Sequence, residues 1–145
     1  GANEWLGGAF VTTLRAIPPT DDSYDGRPIS GRNAGATIAQ WESVYLASDG
    51  RWQLADANGA STYPCRGLAV TAGTADAELR VIDDGVARND AWAWTVGGDI
   101  YLSATPGGLT QTAPSTSGDK VQKLGYALSA DTMRVRVTGD YITVP

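Results

Sequence analysis

From residue 42 onward the chain consists of short apolar runs, many alternating with polar residues, separated by glycine and Asx clusters. A period of two over four to eight residues is the mark of a half-buried strand. The pattern predicts strands at 44–47, 52–55, 67–71, 78–82, 91–95, 100–103, 109–112, 121–129, 132–137 and 141–144. The breaks between them include Ser48-Asp49-Gly50, Asn58-Gly59, Asp83-Asp84-Gly85, Gly97-Gly98, Pro106-Gly107-Gly108, Ser117-Gly118-Asp119 and Thr138-Gly139-Asp140. Such residues supply the positive φ of tight turns. No segment carries a sustained helical period, and residues 38–43 have room for one turn at most. Many short strands at this spacing predict an all-β sandwich or small barrel.

The first 41 residues have another texture. Residues 8–17 read as one strand, with Phe10, Thr12 and Leu14 on one face and Val11, Thr13 and Arg15 on the other. Pro18-Pro19 ends it, because proline has no amide to donate. Residues 20–35 are rich in Asp, Ser, Gly, Arg and Pro and lack apolar periodicity, which predicts an extended arm or long loop. The expected organisation is an N-terminal strand and arm over 1–41, followed by a β domain over 42–145.

Within that domain the two halves match. Glu42-Ser43-Val44-Tyr45-Leu46-Ala47 aligns with Gly98-Asp99-Ile100-Tyr101-Leu102-Ser103. Gly67-Leu68-Ala69-Val70-Thr71-Ala72 aligns with Gly125-Tyr126-Ala127-Leu128-Ser129-Ala130, and Leu79-Arg80-Val81 with Met133-Arg134-Val135. Three blocks in the same order predict a diverged two-copy repeat, the first copy near 42–87 and the second near 98–144. Two copies are too few for a solenoid and are expected to share one compact core.

Composition narrows the chemistry. Of 145 residues, 42% are apolar, enough for a core, and five Trp and six Tyr stand against one Phe and one Met. The net charge of −5, with eleven scattered basic residues, argues against a nucleic-acid partner, which needs clustered cations. No apolar run approaches the roughly 20 residues that cross a bilayer, and no basic-then-apolar leader opens the chain, so no membrane partner is expected. The absence of His removes Ser-His-Asp, Cys-His and His-metal arrangements. The single Cys65 is expected to pack as a small apolar residue.

Three further groups of residues bear on chemistry. Asp21-Asp22-Ser23-Tyr24-Asp25-Gly26 opens like a calcium loop, but Arg32 stands where the bidentate Glu belongs, so an Asp-rich turn is expected and no metal. Asp56, Asp76, Asp83, Asp84, Asp99 and Asp131 could in principle form a glycosidase pair. All lie in turn-like contexts and none is singled out, so neither a catalytic residue nor a cofactor is expected and the chain reads as a non-enzyme. Trp92 and Trp94, two apart on an expected strand, share a face. They suit a subunit interface or core, with a sugar-stacking platform joined by Trp5, Trp41 or Trp52 as the other use.

The stretch Arg88-Asn89-Asp90-Ala91-Trp92-Ala93-Trp94 continues into Gly98-Asp99-Ile100-Tyr101-Leu102-Ser103 and then Gly107-Gly108-Leu109-Thr110-Gln111-Thr112-Ala113-Pro114-Ser115-Thr116-Ser117-Gly118-Asp119. With Val121-Gln122-Lys123-Leu124-Gly125-Tyr126-Ala127-Leu128-Ser129-Ala130-Asp131-Thr132, it resembles a C-terminal module of tailed-bacteriophage structural proteins, both capsid decoration (cement) proteins and tail-fibre proteins. The resemblance covers about residues 42–144. It implies a virion component, symmetric and often a homotrimer. Read as a complete chain without shaft repeats, the sequence favours decoration: a protein on the outer capsid surface that binds the major capsid protein and stabilises the head across subunit junctions. The expected contact residues are Trp5, Phe10 and Leu14 in the arm and Trp92 and Trp94 in the body. The alternatives are a tail-fibre or spike domain that recognises host glycan, and an acid-dependent glycosidase.

Overall fold

A computed structural model describes residues 15–145 in full, together with the backbone of two short strands nearer the N-terminus. These two, β1 (Trp5–Leu6) and β2 (Ala9–Phe10), pair antiparallel in a ladder of their own. Then come β3 (Tyr24–Gly26), β4 (Ile29–Asn33), β5 (Ser43–Leu46), β6 (Trp52–Leu54), β7 (Gly67–Ala69) and β8 (Glu78–Ile82). The second half supplies β9 (Asp84–Arg88), β10 (Asp99–Leu102), β11 (Leu109–Thr110), β12 (Lys120–Val121), β13 (Lys123–Ala127), β14 (Thr132–Arg136) and β15 (Ile142–Thr143). The described residues contain no helix, and the fold is all-β and sandwich-like rather than a closed barrel.

Two antiparallel sheets form the body. The five-stranded one runs β6-β5-β7-β8-β4, and the six-stranded one runs β11-β10-β13-β14-β9-β3. Position by position, β6 corresponds to β11, β5 to β10, β7 to β13, β8 to β14 and β4 to β9. The two sheets therefore share one strand order, with β3 added at the edge of the second. Hydrogen bonds repeat as well. The Trp41 amide bonds the Ala69 carbonyl at 2.6 Å, and the Gly97 amide bonds the Ala127 carbonyl at 2.8 Å. The Ile38 amide bonds the Gly73 carbonyl at 2.8 Å, and the Trp94 amide bonds the Ala130 carbonyl at 2.9 Å.

The unit is longer than the three blocks indicate. Each copy opens with a strand, β4 or β9, so the units span 29–82 and 84–136 rather than 42–87 and 98–144. Within β9, Asp84 and Gly85 are ladder residues and not a turn, and Gly85 lies opposite Gly26 of β3. The third block is also out of step. Val81 stands opposite Ala69 but Met133 opposite Ala127, two residues from the alignment of Val81 with Val135. A slip of two preserves the inward face, so the side-chain pattern hides it.

Residues 20–41 do not form an extended arm. β3 pairs with β9, β4 pairs with β8 through a bulge, and Ala34, Ile38 and Trp41 are buried. Their hydrophobic signal is sparse because edge strands bury little; every residue of β4 is exposed. The strand expected over 91–95 is also absent: after Arg88 the chain leaves the sheet and runs irregularly to Asp99. The Leu14 end of the expected first strand lies outside the described residues.

Each sheet has an inner face that carries buried residues. In the first unit Ala34, Ile38, Val44, Trp52, Ala69, Leu79 and Val81 form a buried cluster drawn from that unit alone. Ala34 bridges to Trp52, which brings the end of β4 against β6 and helps enclose it. In the second unit the equivalent positions Ile100, Ala127 and Met133 join Trp41, Leu68, Val70 and Ile82 from the outer face of the first sheet. One core is therefore shared, while the other belongs to the first unit. A third cluster, Ala55, Ala57, Cys65, Leu102 and Leu124, lies at the junction. There the Gln122 side-chain amide accepts the Cys65 N–H at 2.7 Å and donates to the Cys65 carbonyl at 2.8 Å, acting as a strand partner from the other unit.

Candidate functional site

Trp92 and Trp94 come together as expected, though from an irregular segment. Their rings lie 5.4 Å apart, and Trp41 joins at 5.9 Å from Trp92, with Tyr24 at 6.5 Å from Trp41. All four pack on the shared core. The Trp94 indole N–H is buried and meets no acceptor among the described residues, so it faces protein and not an approaching sugar. Trp52 lies inside the first unit's cluster. These indoles are packing residues on one side of the molecule, and they do not line up as an open stacking platform.

Trp41 occupies an unusual backbone position. Its φ is +72°, the left-handed region that L residues avoid, and the equivalent residue in the second unit is Gly97 at +81°. The turn is the same in both copies, closed by Glu42 N–H to Ala39 C=O and by Gly98 N–H to Thr95 C=O. Trp41 tolerates it because its side chain is 5% exposed in the shared core and its indole N–H donates to Asp22 Oδ1 at 3.1 Å. The Asp-rich segment is thus used structurally: Asp21 accepts from the Asp90 amide at 2.8 Å and Asp25 from the Ala16 amide at 2.6 Å.

Five of the six carboxylates that could form a catalytic pair are engaged by neighbouring groups, Asp83 being the exception among the contacts described. Asp84 pairs with Arg134 at 2.6 Å and Arg15 at 3.6 Å, Asp76 with Arg51 at 2.8 Å, and Asp99 with Lys123 at 3.0 Å. Asp56 accepts from Thr62 and the Asn58 amide. Asp131 accepts from Ser129 and Thr132, and these hydroxyls hold its carboxyl below the usual range, with Arg88 adding to the effect. Cys65 is fully buried, and that burial pushes its thiol up to about 12, so it stays neutral and inert.

Of the expected contact residues, Trp5 and Phe10 lie on β1 and β2, where only the backbone is described, and Leu14 lies outside the described residues.

A second feature was not singled out from the sequence. On the outer face of the six-stranded sheet, Lys123, Gly125, Tyr126, Arg136 and Thr138 line a cleft of about 290 Å³. Tyr126 is 42% exposed. Lys123 and Tyr126 are the two exposed members of β13; they are three residues apart, and the bulge at Leu124, where the pairing with β10 shifts register, brings both to the outward side. Gly125 permits the close pairing beneath: a β-carbon there would collide with the Arg134 carbonyl of β14. The signal was present in the repeat itself, because Tyr126 stands where the first copy has Leu68. No protein-family profile and no curated protein matches the chain.

Proposed function

We propose that this chain is a bacteriophage capsid decoration protein, a duplicated β body on the outer head surface whose N-terminal strands attach it to the major capsid protein. The observation that carries the reading is the separate ladder of β1 and β2. Its sequence, Trp5-Leu6 and Ala9-Phe10, is among the most apolar in the chain, and neither strand joins a body sheet. Attachment across capsid-subunit junctions would bury such residues, and a homotrimer would multiply the contact by avidity. The family resemblance of residues 42–144 fits a virion component and does not choose between head and tail.

Arg15 is tied to the body, its guanidinium reaching Asp84, and the Pro18 carbonyl accepts from Arg88. A deletion ending at residue 14 keeps these two contacts and removes β1 and β2, so it tests attachment. On purified undecorated heads the full chain should bind in hundreds of copies, and the deletion variant should lose occupancy while keeping its unfolding midpoint. Equal occupancy of both would refute the reading, and a handful of copies per virion would move the protein to the tail. The tail-fibre or spike reading draws on the Tyr126 cleft, because an exposed aromatic beside cations suits host glycan.

A further inference from the structure

The duplication supplies an internal comparison for the outer face of the second sheet. In the first unit the corresponding face presents Leu68, Val70 and Ile82, all buried against the second unit. By the matched registers, Leu68 corresponds to Tyr126, Val70 to Leu128 and Ile82 to Arg134. A face that only needed to meet water would be satisfied by small polar or flexible charged residues. This one instead carries a half-exposed aromatic ring in a concave site walled by Lys123, Arg136 and Thr138, whose hydroxyl donates to Asp140 Oδ2 at 3.2 Å.

The charges are arranged asymmetrically. Lys123 is held by Asp99 at 3.0 Å, and Arg134 is occupied by Asp84 and by the Gly85 carbonyl. Among the described residues Arg136 has no ion-pair partner, and Arg66 lies against Gly139, next to Thr138. On a chain of net charge −5 this is a local concentration of cations in which, among the described residues, neither the Arg136 nor the Arg66 guanidinium is taken by an ion pair. A guanidinium fork matches a carboxylate in two parallel hydrogen bonds. An aromatic ring offers its face to the C–H side of a pyranose, and a hydroxyl pairs with ring hydroxyls.

From this geometry we infer that the Tyr126 cleft binds an anionic sugar, one pyranose ring bearing a carboxylate, with the ring on Tyr126 and the carboxylate on Arg136. The volume of about 290 Å³ suits a single saccharide ring rather than an extended segment. The cleft lies on a sheet face and not at a strand edge, so a peptide could not add to it by main-chain pairing. The inference goes beyond the capsid role and holds for a virion protein at either end of the particle.

The probe is free glucuronic acid, with glucose and acetate as controls, titrated into the full-length protein and followed by amide chemical shifts. Glucuronic acid should shift the Gly125, Tyr126 and Thr138 amides with a Kd of roughly 1 mM, as expected for one small ring. Glucose and acetate should each bind about tenfold more weakly, since each lacks one half of the recognition. Arg136→Gln should weaken glucuronic acid about tenfold and leave glucose unaffected, and Tyr126→Ala should weaken both. Neither variant touches a buried core residue, and an unchanged unfolding midpoint checks that each folds. Equal shifts from acetate and glucuronic acid, no shifts at all, or saturation of the cleft by a glutamate-rich peptide but not by the sugar acid would each overturn the inference. Head occupancy measured on the same variants separates its failure from that of the capsid reading.

Discussion

Replacing Gln122 by leucine tests the junction between the two units at its most specific point. The side chain is fully buried and makes two hydrogen bonds to one residue, accepting from Cys65 N–H at 2.7 Å and donating to Cys65 C=O at 2.8 Å. Leucine has a similar reach and no polar atoms, so both main-chain groups of Cys65 lose their partner inside an apolar cluster. Each stranded group costs about 1–3 kcal/mol. The extra apolar surface of leucine returns about 1–2 kcal/mol. The net loss is about 3 kcal/mol, which lowers Tm by about 6–12 °C in a domain of this size. Denaturant titration gives the free energy, and hydrogen exchange at the Cys65 amide shows whether the loss is local. Gln122→Glu adds a test with a sign. A protonated Glu can still donate to the carbonyl, whereas the carboxylate cannot and is buried, so its folded pKa lies above the unfolded one. The stability that Glu retains is then present at acid pH and lost as pH rises, and its deficit relative to wild type grows from pH 4 to pH 7. A leucine variant within about 0.5 kcal/mol of wild type, the ordinary range of an inconsequential surface substitution, would refute the reasoning. So would a Glu deficit flat in pH.

Other outcomes follow from the same structure. Residues 24–83 with Leu68→Tyr and Ile82→Arg should fold alone as a monomer with dispersed amide shifts, because the first unit's core is its own, whereas residues 84–145 alone should not fold. In acid, Asp131 is held low first by the Ser129 and Thr132 hydroxyls and then by Arg88; for Asp84, burial acts upward, but the Arg134 hydrogen bond and charge outweigh it, with Arg15 adding. Both carboxylates contribute stability above their unfolded pKa of about 4, and it is lost as pH falls through their lower folded values. Asp131→Asn should flatten the midpoint-versus-pH curve below pH 4. Cys65 should resist alkylation at pH 8 in the folded protein and react only at the rate of unfolding, since its thiol is buried and pushed up to about 12.

The strands that were legible are those whose apolar residues alternate along the sequence. β5, β8, β10 and β14 alternate visibly, and their order within the repeat survives in the structure. The unreadable strands are edges. β3 and β4 bury little, contain Gly and follow a proline-rich stretch, so period and composition both argued for a loop. β9 was hidden by Asp83-Asp84-Gly85, a turn sequence by every local rule, which pairing on both sides holds extended. The mutual proximity of Trp92 and Trp94 was readable from their spacing, but their contact with Trp41 was not, because Trp41 arrives from the other unit. Tyr126 was overlooked because a single exposed aromatic is ordinary until its repeat partner is known to be a buried leucine.

The way the units pack also explains why there are two. Packing is head to tail: the outer face of the first sheet fills the inner face of the second. Such packing can continue indefinitely only if each end still offers the complementary face. The inner face of the first unit is already occupied by its own Ile38 and Trp52, with Ala34 bridged to Trp52. The outer face of the second has exchanged Leu68 and Ile82 for Tyr126 and Arg134, the polar surface that terminal repeats need. Both ends are therefore capped, by different means. The cap on the first unit is spent on its own core and offers nothing to a ligand. The cap on the second had to be polar but not concave or aromatic, and that excess over what solubility requires is the reason to look for a ligand beside Tyr126.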